Sequence, residues 1–176
     1  MKQGLVEVYC GTGKGKSTAA IGLGIRAIGH GFKVIMIQFL KNDATGEVKL
    51  LKSLEPQFKV FHFEKERGFV WTLNDDEIED LRNEINMAIK FARKVVDTGE
   101  CDILILDEIL GVIENDLIKD TDILELIQNK PEQMELVLTG RKVPETIKNV
   151  ADYVSEIVDI KHPMHTGAEA RKGIEF

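Results

Sequence analysis

Nine consecutive residues hold most of the chemistry available to this sequence: Cys10-Gly11-Thr12-Gly13-Lys14-Gly15-Lys16-Ser17-Thr18. Gly11, Gly13 and Gly15 let the backbone wrap until several N–H groups point to one centre, which suits a phosphate. Lys16 is placed to reach the outer phosphates, and Ser17 to offer its hydroxyl to Mg²⁺. Lys14 adds a second ammonium inside the loop. Gly11, Thr12, Gly13, Lys14, Gly15, Lys16, Ser17 and Thr18 are the candidate nucleotide-binding residues. Leu5 to Tyr9 before them reads as a short strand, and Ala19 to Ala27 after them as a tightly packed helix. The start of that helix contributes unpaired N–H groups and the positive end of its dipole.

The loop departs from the Walker A pattern G-x-x-x-x-G-K-[S/T]. Counting back from Gly15 puts Cys10 where the first glycine belongs, and Gly11 is one residue too close. A shortened loop implies that a triphosphate lies in it differently than in a standard NTPase.

Three further groups could do chemistry. Asp107 and Glu108 follow the apolar run Ile103 to Leu106, as in a Walker B segment, and a carboxylate there can hold Mg²⁺ directly or through water. Adjacent strand residues point to opposite sides, so one of the two is expected to face the metal. Phe69 and Trp71 stand two apart in a charged loop, where an extended backbone would project both rings to one side, toward a flat apolar ligand. The plainer alternative makes both rings anchors for the loop. Arg141, after Thr139-Gly140, could bind phosphate or a ligand carboxylate, or could form a surface ion pair. The histidines, His30, His62, His162 and His165, do not cluster with a third ligand and read as turn and surface residues.

The elements that must position these groups alternate along the chain. Strand-like runs are Phe32–Phe39, Phe58–Phe63, Cys101–Glu108, Glu135–Thr139 and Tyr153–Ile160. Helical segments are Glu47–Leu54, a long one from Asn74 or Asp75 to Thr98 closed by Gly99, a stretch broken near Asn115-Asp116, Asp122–Gln128 capped by Thr121, and Val143–Val150. The alternation predicts an α/β fold: a mainly parallel sheet with helices on both faces, in one domain spanning residues 1–176. Ligands in such sheets bind at strand carboxyl ends, where the phosphate loop, Asp107-Glu108 and Gly140-Arg141 all fall.

Composition narrows the function classes. A net charge of −7 and a pI near 5.2 disfavour general nucleic-acid binding, which needs a basic face. No apolar run is long enough to span a membrane, and the first strand starts too early to leave room for a signal peptide. Cys10 and Cys101 are the only cysteines, which argues against a disulfide framework or a Cys₄ zinc site, and both read as small buried residues. Cytoplasmic residence is the expectation.

Together these residues resemble the P-loop type ATP:corrinoid adenosyltransferases. The similarity runs through Gly11 to Thr18, Arg26 to Gly31, Gln38 to Lys41, Gly46-Glu47, Gly68-Phe69, Trp71, Leu106 to Glu108, Thr139 to Arg141, and the tail from Lys161 to Phe176. The resemblance implies a P-loop NTPase-like fold and a reaction in which a corrinoid, reduced to Co(I), attacks the 5′ carbon of ATP and triphosphate leaves. It implies that ATP lies reversed in the loop and that Gly11 to Ser17 hold the triphosphate. Ser17 with Glu108, or Asp107, would hold Mg²⁺, or Mn²⁺ in its place. Phe69 and Trp71 would pack at the corrin and displace its lower axial ligand, easing reduction of Co(II). Arg141 would contact phosphate or a corrin side chain. No residue acts as a general acid or base, so Lys16 and Arg141 are the groups expected to serve the reaction by charge and position. Implied partners are ATP, a corrinoid, a reductant protein or reduced flavin, and a second copy in a homodimer. Some members carry an N-terminal helical extension over the corrinoid; this sequence starts at its first strand, so a partner subunit is expected to help cover it. Two rival readings keep the same loop: a P-loop ATPase or small-molecule kinase that releases ADP, and a non-catalytic module that binds nucleotide or corrinoid.

Overall fold

Ile103 and Ile105 pack into one apolar layer, while Leu104 and Leu106 pack into another. That alternation is the signature of a strand buried on both faces. In the computed structural model, which describes residues 3–41, 46–163, 167 and 169–174, this strand sits in the middle of the sheet. The strands are β1 (Val6–Cys10), β2 (Val34–Gln38), β3 (Phe58–His62), β4 (Ile103–Asp107), β5 (Glu135–Thr139) and β6 (Tyr153–Glu156). Their order is β3-β2-β4-β5-β1-β6, and every neighbouring pair is parallel. The helices are α1 (Lys16–Ile28), α2 (Gly46–Lys52), α3 (Asp75–Thr98), α4 (Ile109–Glu114), α5 (Asp120–Asn129) and α6 (Glu145–Lys148).

The two layers take different helices. Ala20 and Ala27 of α1, with Val48 and Leu51 of α2, cover Val34, Met36, Ile103, Ile105 and Val137. Leu81, Ile85, Ala88, Ile89 and Ala92 of α3, with residues of α4, α5 and α6, cover Ile35, Ile37, Leu104, Leu106, Leu136 and Leu138. Each fully buried Leu or Ile contributes roughly 1.5–3 kcal/mol. The first helix packs closely because it is built of small residues: a Cβ at Gly24 would lie 2.5 Å from Phe58 Cε2.

The long helix α3 begins and ends as its sequence predicts. The Asn74 side chain accepts the Glu77 N–H at 2.9 Å, and the Glu77 carboxylate accepts the Asn74 N–H at 2.9 Å, a reciprocal capping box. Gly99 closes it at φ 59°. Most other elements differ from the sequence reading by one to four residues at an end, and two of these shifts have a local cause in the hydrogen bonding. Helix α5 starts at Asp120, before Thr121, because the Asp122 carboxylate takes the Lys119 N–H at 3.2 Å and so moves the cap upstream. Strand β6 ends at Glu156 instead of Ile160: beyond it the Ile157 carbonyl turns to accept the Gly13 N–H. Among the described residues, no helix is long and apolar enough to cross a membrane.

Candidate functional site

The pleat delivers three polar side chains to one row. Gln38, Asp107 and Thr139 end β2, β4 and β5, and each shares the parity of the residues that face α1: Met36, Ile105 and Val137. Gln38 and Asp107 are register partners on adjacent strands. Thr139 Oγ1 donates to Asp107 Oδ1 at 2.7 Å and accepts the Glu108 N–H at 2.8 Å. Gln38 Nε2 donates to Asp107 Oδ2 at 3.3 Å. Asp107 is therefore wholly buried and still fully engaged.

Its charge is balanced by a residue from outside the row. Lys41 Nζ donates to Asp107 Oδ2 at 2.6 Å and to Ser17 Oγ at 2.7 Å. Burial works against the charged form of Asp107, and the Lys41 ammonium with the hydrogen bonds from Lys41, Thr139 and Ser17 outweighs it, holding the carboxyl below its ordinary range. Glu108 behaves oppositely. It caps α4 in a left-handed conformation, φ 64°, and burial followed by the Asp107 charge pushes its carboxyl up, against the pull of Lys41, Lys16 and Arg141.

The phosphate loop runs from the end of β1 into α1, as the sequence predicts, but its amides are not all turned inward. The Gly11 N–H donates to the Arg141 carbonyl at 2.8 Å and the Gly13 N–H to the Ile157 carbonyl at 2.7 Å. The loop is thus fastened to the segments that follow β5 and β6, and these two glycines serve its shape. Gly11 sits at φ +106°, and a Cβ there would lie 2.3 Å from the Ile157 carbonyl oxygen. The Gly11→Ala variant is expected to lose about 2–5 kcal/mol from backbone strain and overlap. Thermal unfolding should show a Tm about 4–20 °C lower; an unchanged Tm would mean that the loop does not need this fastening. Lys16, the first residue of α1, folds its ammonium back onto the Gly13 carbonyl at 2.8 Å.

A cavity of about 750 Å³ is bounded by Lys41, Glu64, Phe69, Trp71, Glu108 and Arg141 among others, and Lys41 joins it to Ser17 of the phosphate loop. Phe69 and Trp71 are 67% and 77% exposed, so neither is a buried anchor. Their rings stack at 4.5 Å between centroids and 5° between planes. The backbone is not extended between them, as the two-residue spacing suggested. Val70–Thr72 form a 3₁₀ turn in which the Thr72 N–H and hydroxyl both bond the Phe69 carbonyl, and that turn brings the rings face to face. The loop is tied down beneath: Arg67 Nη2 bonds the buried Glu84 carboxylate at 3.0 Å, and the Lys65 N–H bonds it at 3.2 Å.

Arg141 is exposed on the cavity wall, and the ion pair with Glu114 is made by its neighbour Lys142, at 2.7 Å. Residues Ile160, His162 and Arg171 wall a second hollow, of about 560 Å³, next to Lys14, so the tail returns to the phosphate loop. His165, Glu175 and Phe176 lie outside the described residues. Sequence reasoning did not pick out Gln38, Lys41, Glu64, Glu84 or Thr139 as site residues. The available signal was position: Thr139 ends a predicted strand, and Gln38 lies one residue before the end of another, at the edge where the loop lies.

The arrangement suits a nucleotide and a divalent cation. Among the described residues, no group of three or more His, Cys, Asp or Glu side chains converges to hold a metal by itself. The donor set instead fits a metal that arrives with phosphate: a hydroxyl, Ser17, and a buried carboxylate, Asp107, already share a cation in the Lys41 ammonium. The Gln38 Oε1 acceptor beside them has no partner, and a metal-bound water would supply one.

The family model described as "ATP:corrinoid adenosyltransferase BtuR/CobO/CobP" matches residues 2–176. The chain belongs to the ATP:corrinoid adenosyltransferase family. Among curated members of this adenosyltransferase family, the corrinoid adenosyltransferase of Sinorhizobium sp is 35% identical, over 99% of this chain and 81% of that one. The corrinoid adenosyltransferase of Escherichia coli K12 is 31% identical over 99% and 87%. Corrinoid adenosyltransferase CobA of Salmonella typhimurium is 30% identical over the same shares. A likeness of fold alone links this adenosyltransferase chain to the KaiC-like protein PH0186 of Pyrococcus horikoshii, with a TM-score of 0.58 and 17% identity over 91% of this chain and 75% of that one.

Proposed function

We propose that this protein transfers the 5′-deoxyadenosyl group of ATP to the cobalt of a corrinoid. One observation carries the reading: the cavity walled by an exposed, stacked aromatic pair is also walled by Lys41, whose ammonium donates to Ser17 of the phosphate loop, in a chain of this family. The Co(I) electron pair forms the Co–C5′ bond, the C5′–O bond breaks, and its electron pair leaves with triphosphate. Cobalt ends formally as Co(III). No proton moves, which fits a site without a positioned general base. The protein's part is position and charge.

Residues Gly11 to Thr18 hold the triphosphate, with ATP reversed in the shortened loop. Lys16 and Arg141 face the negative charge that builds on the leaving group. Phe69 and Trp71 press on the corrin and displace its lower axial ligand, leaving a four-coordinate Co(II) that accepts an electron more readily. Ser17, Asp107 and Glu108 hold Mg²⁺, or Mn²⁺. The ion screens the charge of the triphosphate. Glu108→Ala is expected to raise the Mg²⁺ concentration needed for half-maximal turnover, and an unchanged requirement would assign the ion to Ser17 and Asp107.

The chain works as one nucleotide-binding domain. The electron comes from outside it, from a reduced flavin or a reductant protein. A homodimer is supported by the apolar side chains Tyr153, Val154, Val158 and Ile160, exposed along and beyond the open edge strand β6. Cytoplasmic residence is supported by two free, buried cysteines, Cys10 and Cys101.

The test is anaerobic. The protein is mixed with Mg-ATP and chemically prepared Co(I) corrinoid, the visible spectrum is followed, and the released phosphate species is assayed. A light-sensitive adenosyl-corrinoid with triphosphate is expected. ADP or orthophosphate beside an unaltered corrinoid would instead favour a phosphoryl-transfer enzyme, and binding of both ligands without product would favour a binding module.

A further inference from the structure

Lys41 does something that a phosphate-loop site does not require of a lysine after β2. Its ammonium stands between Ser17 Oγ, at 2.7 Å, and Asp107 Oδ2, at 2.6 Å. These are the hydroxyl at the start of α1 and the carboxylate at the end of β4, the pair between which a P-loop protein holds its metal. Mg²⁺ binds oxygen at about 2.0–2.1 Å, inside the volume the ammonium fills, so the two cations exclude each other. Asp107 supplies one negative charge in a fully buried position, and Lys41 neutralises it. A free metal ion would have to evict the ammonium from its buried carboxylate partner, and brings nothing to receive it. A metal ion bound to polyphosphate brings anionic oxygens that can receive the displaced ammonium.

The backbone keeps Lys41 in place. Leu40, just before it, adopts a left-handed conformation at φ 53°, unfavourable for a branched side chain. Its N–H donates to Glu64 Oε2 at 2.9 Å, and Glu64 opens the segment that leads to Phe69 and Trp71. The lysine is thus tethered at the boundary between the loop and the cavity.

We propose that Lys41 is a built-in counter-cation of the Ser17–Asp107 site: it holds that site closed to free divalent metal and yields it to a metal–polyphosphate complex. The proposal rests on reading Ser17 and Asp107 as the metal-holding pair, and its test needs neither corrinoid nor turnover. Mn²⁺ serves as the probe, titrated into nucleotide-free protein while free Mn²⁺ is measured by electron paramagnetic resonance. Wild type is expected to bind weakly. Lys41→Met is expected to bind at least about ten-fold more tightly, because the competing charge is gone. Lys41→Gln keeps a hydrogen-bond donor for Asp107, and should show the same gain if the methionine variant fails to fold. Lys41→Arg keeps the positive charge and should stay near wild type. Adding Asp107→Asn to the tighter variant should erase the gain. Unchanged Mn²⁺ affinity in the neutral variants, or a gain that survives Asp107→Asn, would overturn the proposal. If adenosyl transfer fails in wild type while the gain is seen, the functional reading falls and this one stands; normal transfer without the gain gives the reverse.

Discussion

The Lys16→Ala variant is expected to lose about 10²–10³-fold in adenosylation rate, together with most of its ATP affinity. Removing one preorganised positive donor from a site where charge develops in the transition state costs about that much. Here the group is the first residue of α1, at the positive end of the helix dipole, with its ammonium parked 2.8 Å from the Gly13 carbonyl. In that pose its hydrogen bond goes to a carbonyl and not to a carboxylate. It must leave the carbonyl for the polyphosphate, so its contribution appears only when nucleotide is bound. The fold should tolerate the change, because one hydrogen bond to a loop carbonyl contributes about 1 kcal/mol. Calorimetric ATP binding and the anaerobic assay, run on the same preparation, separate the two effects. A variant that turns over at the wild-type rate would remove the phosphate loop from the mechanism.

The second large effect belongs to the aromatic pair. Trp71→Ala and Phe69→Ala are expected to lower turnover from Co(II) corrinoid by about 10–100-fold while costing much less when Co(I) is supplied chemically. A covered aromatic ring removes about 150–250 Å² from water, about 4–6 kcal/mol at full burial. These rings are 67% and 77% exposed, so most of that energy is still to be gained when a ligand arrives. If half of it displaces the axial ligand, the rate through reduction changes by the stated factor. Equal losses with both oxidation states would make the rings a general binding surface and refute the axial-ligand role.

The sequence made the frame of this site legible and hid its wiring. Strand β4 was readable because Ile103 to Leu106 is an unbroken apolar run closed by carboxylates, and α3 because Asn74, Glu77 and Gly99 mark its ends locally. Lys41 was hidden for a non-local reason. Its partner Asp107 lies 66 positions away, and they meet only because β2 is placed beside β4 by a crossover that no local pattern records. The Glu64–Leu40 hydrogen bond was hidden likewise, since it depends on an unfavourable φ at Leu40. For Phe69 and Trp71 the residue types left a ligand surface and a loop anchor both open, and two-residue spacing was translated through strand geometry. The 3₁₀ turn reached the same side by a different route. The length of β6 was overestimated because apolar Val158 and Ile160 continue its pattern, whereas the Ile157 carbonyl is committed to Gly13.

The place of β1 in the sheet sets a timetable for the newborn chain. Its only neighbours are β5 and β6, and Leu5 meets Glu135 across 130 positions of sequence. Strand β1 therefore waits while everything between it and β5 is made, which at about 5–20 residues per second is of order ten seconds. During that interval Val6 and Val8 have neither a ladder partner nor a sheet to lie in, and the loop after them lacks the Arg141 and Ile157 carbonyls that shape it. Nucleotide cannot act as a folding template for the nascent protein. The binding loop is synthesised well before the segments that complete it, and until they arrive the apolar strand β1 is offered to whatever holdase chaperone the cell supplies.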